Sequence, residues 1–147
     1  MRRPNIWFVP IKTPDQQAVL CIHRIRQGLA RDRTSMINQL RGLLSEFGIV
    51  MPRGRYPAQS TIPGILEDGE NGLPMLARRI IDNLWQRIKQ ASEQIQDYDK
   101  ELTLLVKESP VARKIMTIPG VGEQTASGVV ASVSDPRLFK NSCQFAA

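Results

Sequence analysis

The sequence predicts an all-α protein: two long helices forming a coiled coil or antiparallel hairpin, followed by a small helix-hairpin-helix unit. Three observations predict it. Apolar residues recur at three- and four-residue spacings along two long stretches, a connector dense in proline and glycine separates them, and Pro119-Gly120-Val121-Gly122 joins two short helical runs near the C-terminal end.

Residues 1–12 read as an extended N-terminal segment. Thr13-Pro14-Asp15-Gln16 then has the form of a helix start, with Thr13 as cap, Pro14 pre-set for the first turn and Gln16 placed to complete a capping box. The helical pattern continues to Phe47, where Gly48 tolerates left-handed geometry and Pro52 prevents an immediate restart. Ile22, Ile25, Leu29, Met36, Leu40, Leu43 and Phe47 trace the expected apolar stripe, with Arg24, Arg31, Arg33 and Arg41 mostly off it. Such a helix is about 50 Å long at 1.5 Å per residue, too long to be packed inside a domain of this size.

Residues 49–74 hold four prolines and four glycines and read as a loop or irregular hairpin, with at most a short helix over 62–67. In the second long helix, Ile81, Leu84, Ile88, Ala91, Ile95, Tyr98, Leu102 and Leu105 alternate three- and four-residue steps without a break. A 3.5-residue period marks a coiled-coil seam, so 13–107 is expected to be a long-helix coiled-coil region. The two helices can pair within one chain or with a second subunit; Ala91 and Tyr98 in the seam favour an intramolecular pair that also dimerises.

Ser109-Pro110 restarts the chain, with Ser109 capping and Pro110 at the first position of a helix through Ile115 or Met116. Gly120, Val121 and Gly122 follow, and the chain is helical again from Thr125 to Val133. Glycines let a backbone approach a phosphate, and the amides at the next helix start point partial positive charge at an anion. A contact of that kind is blind to base sequence. Asp135-Pro136 is expected to end this helix and Ser142 to cap another.

Composition narrows the function classes. The 147 residues are 41% hydrophobic, and no apolar run approaches the roughly 18 residues of a membrane span. Cys21 and Cys143 support neither a disulfide framework nor a zinc site, so a reducing cytoplasm is the expected compartment. The arginine-bearing start lacks the apolar stretch of a signal peptide. Net charge is +6, but residues 1–55 carry ten basic against three acidic side chains while the remainder carries ten against eleven. The basic excess therefore belongs to the first third and points to a polyanion, with nucleic acid the expected one. Candidate contacts are Arg24, Arg31, Arg33 and Arg41 on the first helix, and Lys114 with Gly120, Val121 and Gly122 at the hairpin.

No active site is evident. Glu67, Asp68 and Glu70 lack a ligand spacing, Asp97, Asp99 and Glu101 read as surface charge, His23 has no identifiable partner, and the serines at 127, 132, 134 and 142 read as packing or capping residues.

Three stretches carry a resemblance: Arg3-Pro4-Asn5-Ile6-Trp7-Phe8-Val9-Pro10-Ile11-Lys12 with Gln16-Gln17; Ile37-Asn38-Gln39-Leu40-Arg41-Gly42-Leu43-Leu44-Ser45-Glu46-Phe47-Gly48; and Ile118-Pro119-Gly120-Val121-Gly122 with Phe139-Lys140-Asn141 and Gln144-Phe145-Ala146-Ala147. Together they resemble the middle of DEDD-type insertion-sequence transposases, relatives of the pilin-inversion recombinase that include bridge-RNA-guided recombinases. The resemblance covers essentially the whole chain. It implies an RNase-H-like domain with an acidic metal-binding tetrad before this region, a long-helix region, and a C-terminal transposase domain that opens with the hairpin, here at 108–147. A functional serine of that family follows the Phe-Ala-Ala, so no catalytic residue carries over and the fragment alone is expected to be inactive.

The expectation is a truncated member, from either an interrupted reading frame or the middle of a longer protein. Its parent would move an insertion sequence by DNA transposition, with a divalent metal such as Mg in the full-length family and none here. DNA, a guide RNA and a second copy of the chain are the implied partners, with no membrane. A stand-alone helix-hairpin-helix DNA-binding or repair accessory protein is the second reading, and a structural coiled-coil adaptor the third.

Overall fold

The computed structural model describes residues 11–52 and 54–133, and the expectations placed on 1–10, on Asp135-Pro136, on Ser134 and on Ser142 lie outside them. Among the described residues the order is α1 (Pro14–Glu46), α2 (Arg55–Glu67), α3 (Met75–Glu108), α4 (Pro110–Ile115) and α5 (Glu123–Ser132), with no strand. The protein is all-α, as the periodicities predict. The chain divides into two compact units, one of residues 1–24 with 99–147 and one of residues 25–98, so α1 and α3 each contribute to both.

The ends of α1 follow from its terminal residues. Thr13 and Gln16 form the reciprocal capping box: the Gln16 amide N–H donates to Thr13 Oγ1 at 3.2 Å and the Thr13 N–H donates to Gln16 Oε1 at 3.0 Å. At the other end Ile49 N–H donates to the Leu44 carbonyl and Gly48 N–H to that of Ser45, with Gly48 at φ 76. This is a Schellman motif, and Ile49 also packs against the cluster containing Leu44, the apolar contact that accompanies it.

In the unit of residues 25–98, Ile37, Leu40 and Leu44 of α1, Ala58 and Ile62 of α2, and Ile81, Leu84, Trp85 and Ile88 of α3 form one core with Met51 and Leu73. The first two long helices therefore pair within the chain here. On α1 the buried line runs through Ile37, Leu40 and Leu44, whereas Met36 and Leu43 are half-buried and Ile25 and Phe47 are exposed. The buried line is thus turned by about one residue from the stripe expected from sequence, and the core that it enters holds residues of α2 as well as α3.

Helix α2 also corrects the connector. It begins at Arg55 and runs through Pro63-Gly64, where the sequence suggested at most a short helix from 62. Pro63 removes one intrahelical bond, but Ala58 and Ile62, four residues apart, reach the core on one face, and fully burying a side chain such as Ile62 is worth about 1.5–3 kcal/mol. The C-terminal carbonyls of α2 are gathered by Arg78, whose Nη1 donates to Ile65 O at 3.1 Å and Leu66 O at 2.5 Å. Its Nη2 donates to Asp68 O at 2.8 Å and Asn71 Oδ1 at 2.9 Å.

Of the eight seam residues on α3, Ile81, Leu84, Ile88, Ala91, Ile95 and Leu102 are buried and Tyr98 and Leu105 half-buried. Trp85, Ser92 and Val106 are buried beside them, and the Ser92 hydroxyl donates to Ile88 O at 2.8 Å. The covered face is therefore wider than a two-position seam, as expected of a helix that packs on more than one neighbour.

In the other unit, Val106 of α3, Ala112 of α4 and Ala126 of α5 form a second core, with Ile115, Met116, Val121 and Val130 against it. The start of α1 joins it through Gln16, whose side-chain amide donates to Val130 O at 3.3 Å.

Candidate nucleic-acid interface

The hairpin is built from its own residues. Ser109 caps α4 by accepting from the Ala112 amide at 3.2 Å, with Pro110 in the first turn, as its sequence predicts. After Ile115 the chain tightens: Ile118 N–H donates to Ile115 O at 3.1 Å, and Val121 N–H to Ile118 O at 3.1 Å. Pro119 and Gly120 take the centre of that last turn, and Gly120 has φ 85. Proline followed by a residue with positive φ is the pattern of a type II turn, which requires glycine or asparagine at the second position. Gly120 is thus fixed by backbone geometry.

Gly122 stands differently. It caps α5 with extended φ of −96, and no side chain bonds to the helix start. A Cβ there would meet no neighbouring atom within 4 Å, so nothing in the fold demands glycine at 122. Its carbonyl accepts from the Ala126 amide at 2.9 Å, while Glu123, Gln124 and Thr125 lie exposed in the first turn. Those first-turn amides have no partner inside a helix, and they carry the positive end of its dipole. Glu123 sits among them and opposes an approaching anion. Val121 is half-buried against the second core and anchors the turn, whereas Lys114, in the last turn of α4, is exposed.

The four arginines of α1 divide by environment. Arg24, in the first unit, and Arg31, in the second, are exposed. Arg33 is half-buried. Arg41 is held in place: its Nη1 donates to Asn38 Oδ1 at 2.7 Å and its Nη2 to Pro52 O at 3.2 Å, which ties the end of α1 to the following chain. Arg41 is therefore committed to the fold, a use that charge and spacing do not reveal.

His23 has a partner that the sequence did not show. Its Nε2 lies 3.1 Å from Ser127 Oγ, and its ring lies beside Gly128, where a Cβ would come within 3.7 Å. The Ser127 hydroxyl also lies within donating distance of the Glu123 carbonyl, at 2.7 Å, and of the Gln124 carbonyl, at 3.2 Å. The pair joins α1 to α5. Asp99 likewise is more than surface charge, accepting from Gln124 Nε2 at 2.9 Å. Asp68 Oδ1 accepts from the Glu70 amide at 2.9 Å, a local turn. Among the described residues no three His, Cys, Asp or Glu side chains lie together as a metal group would need, and no helix is long and apolar enough to cross a membrane.

Residues 112–147, which include the hairpin, match the family model described as the transposase IS116/IS110/IS902 family. The chain is 37% identical over 145 residues to the transposase for insertion sequence element IS1111A of Coxiella burnetii, covering 99% of this chain and 40% of that protein. It is 35% identical over 147 residues to the transposase for insertion sequence element IS1328 of Yersinia enterocolitica, covering 99% of this chain and 42% of that one. The chain thus spans about two fifths of the length of these relatives. No solved structure matches it. The turn of the hairpin thus lies inside the segment that matches this transposase family model, and nearly the full length of the chain aligns to two insertion-sequence transposases.

Proposed function

We infer that the chain is a nucleic-acid-binding part of a transposase that moves an insertion sequence by DNA transposition. The observation that carries the reading is the hairpin: Pro119-Gly120 turns the chain so that uncapped first-turn amides of α5 face solvent, within the segment that matches the transposase family. Those amides would fix one phosphate, and exposed Lys114 would neutralise its neighbour. Gly120 serves by shaping the turn, Val121 by anchoring it, and Gly122 by leaving room for the backbone of the partner. On α1, Arg24 and Arg31 supply mobile positive charge, and Arg33 and Arg41 add to the local field.

On this reading, residues 13–107 form a long-helix region with its connector at 49–74, and 108–147 begin a C-terminal transposase domain. The partner is DNA, with a guide RNA as a further one, in the cytoplasm where both are present. Self-association would use the exposed Leu76 and Ile80 of α3 and not the seam, which is already covered within the chain. Divalent metal chemistry would belong to the full-length protein.

The test is electrophoretic mobility with duplex DNA. Lys114→Glu and Gly120→Val should each weaken binding several-fold irrespective of sequence, while Gln96→Glu on the exposed surface of α3 should change it little. Equal affinities for all four proteins would refute the assignment of the hairpin.

A further inference from the structure

Helix α5 has a small apolar hold on its unit. Its buried residues are Ala126, Ser127 and Ala131, with Val130 half-buried against the second core. An alanine methyl buries little area and has no rotamer to interlock, so it does not by itself fix how a helix is turned about its axis. Polar contacts do that here. Side chains of α1 and α3, from the same unit, reach α5 once per turn, at 124, 127 and 130. Gln124 Nε2 donates to Asp99 Oδ1 of α3 at 2.9 Å, His23 Nε2 of α1 lies 3.1 Å from Ser127 Oγ, and Gln16 Nε2 of α1 donates to Val130 O at 3.3 Å.

Two of these contacts bear on the start of the helix. Gln124 belongs to the first turn, and the Ser127 hydroxyl met by His23 also lies 2.7 Å from the Glu123 carbonyl and 3.2 Å from that of Gln124. The turn that presents the uncapped amides is therefore gripped from α3 through Gln124 and from α1 through Ser127. Asp99 is the telling partner. It stands within one glutamine side chain of the α5 start, where a carboxylate, like Glu123, repels an anion. Its use to a polyanion binder lies in the acceptor oxygen that it offers to Gln124, and not in its charge.

We propose that Asp99 and His23 are positioning residues of the hairpin. Asp99, through Gln124, and His23, through Ser127, set the rotation of α5 about its axis and so the direction of its first-turn amides, and neither touches the nucleic acid. The proposal rests on the reading of the hairpin as a phosphate contact and deepens it by naming what aims that contact. Groups that bind through direction need a second layer of side chains to hold them, and these two supply it.

Charge and position predict opposite signs at Asp99. Removing a negative charge near a phosphate contact should tighten binding if only the field counts, whereas removing the acceptor of Gln124 should weaken it. Asp99→Leu removes both, and it should bind a DNA duplex about three- to tenfold more weakly, the range that one lost hydrogen bond accounts for. Asp99→Asn keeps an Oδ1 acceptor and removes only the charge, so it should bind at least as tightly as the unaltered chain. His23→Leu should weaken binding to a similar extent, and His23→Gln, whose Nε2 can stand in for that of the ring, should recover most of it. The full chain and each variant are titrated by fluorescence anisotropy against one labelled DNA duplex, well below each Tm, so that altered stability does not enter. His23→Leu is also combined with Gly120→Val: a residue that acts through the hairpin adds no further loss once the turn is broken, while one that contacts DNA itself adds its own. Asp99→Leu binding as tightly as the unaltered chain, Asp99→Asn binding as weakly as Asp99→Leu, or additive losses in the double variant would each overturn the proposal. Unchanged affinity in Gly120→Val alone overturns the reading of the hairpin, and the positioning role with it.

Discussion

Arg78 is the residue on which the connector depends most. Its guanidinium meets three backbone carbonyls and the Asn71 side chain, and Asn71 in turn donates to Ile65 O at 2.6 Å and accepts from the Leu73 amide at 3.2 Å. Removing it leaves C-terminal carbonyls of α2 without a partner, and hydrogen bonds to charged groups are worth about 1.5–3 kcal/mol each, less where water can replace the donor. Arg78→Ala should therefore lower stability by about 2–4 kcal/mol in urea unfolding, and Arg78→Lys should recover less than half, because an ammonium cannot span the same acceptors. Full recovery with lysine would show that charge alone is used. None of this was legible in the sequence, since the acceptors are carbonyls seven to thirteen residues away whose convergence depends on the fold. The same holds for His23 with Ser127, 104 residues apart. The caps at Thr13, Ser109 and Gly48 were legible because capping is a local matter of three or four residues.

At the scale of the elements, the two long helices and α4 are readable in the sequence, most of α2 is not, and helix facing is readable in part. On α3 the three- and four-residue period continues for eight positions, and six of the eight are buried. On α1 the apolar residues are sparser, and Leu43 and Leu44 compete for the same stripe. The structure decides for Leu44, with 0% of its surface exposed, while Leu43 is half-buried. Leu44→Ala should cost about 2–5 kcal/mol as a large-to-small change in a closed site, and Leu43→Ala less than half as much, measured by thermal or urea unfolding. The reverse order would contradict the placement of α1. Helix α2 was under-read for a different reason: proline and glycine content describes how readily a segment turns, not what its apolar residues gain when three helices close over them. At the hairpin, Gly120→Ala should cost about 1–2 kcal/mol for forcing a side chain into left-handed geometry, whereas Gly122→Ala should be close to neutral in stability. Sequence alone treats the two glycines as equivalent.

Over the whole molecule, charge is the property on which the proposed function draws. The first 55 residues hold the excess of ten basic over three acidic side chains, and the rest is close to neutral. Of the arginines on α1 named as candidates, Arg24 and Arg31 are exposed, while Arg41 is used to hold the chain together. Substituting Arg24 and Arg31 with glutamate should accordingly weaken nucleic-acid binding without loss of the helical circular-dichroism signal, since neither supports the core. On the proposed function, the hairpin amides would add a fixed dipolar contact that such changes leave in place. Phosphate neutralisation releases counterions, so the two kinds of contact differ in their response to salt.

The most direct measurement is the affinity of the chain for duplex DNA by fluorescence anisotropy as salt is raised from 50 to 300 mM. Nucleic-acid binding through phosphate neutralisation predicts a linear fall of log affinity with log salt, with a slope of about −3 or steeper and nearly the same value for duplexes of unrelated sequence. Absence of binding at 50 mM, or an affinity that salt does not change, would contradict it.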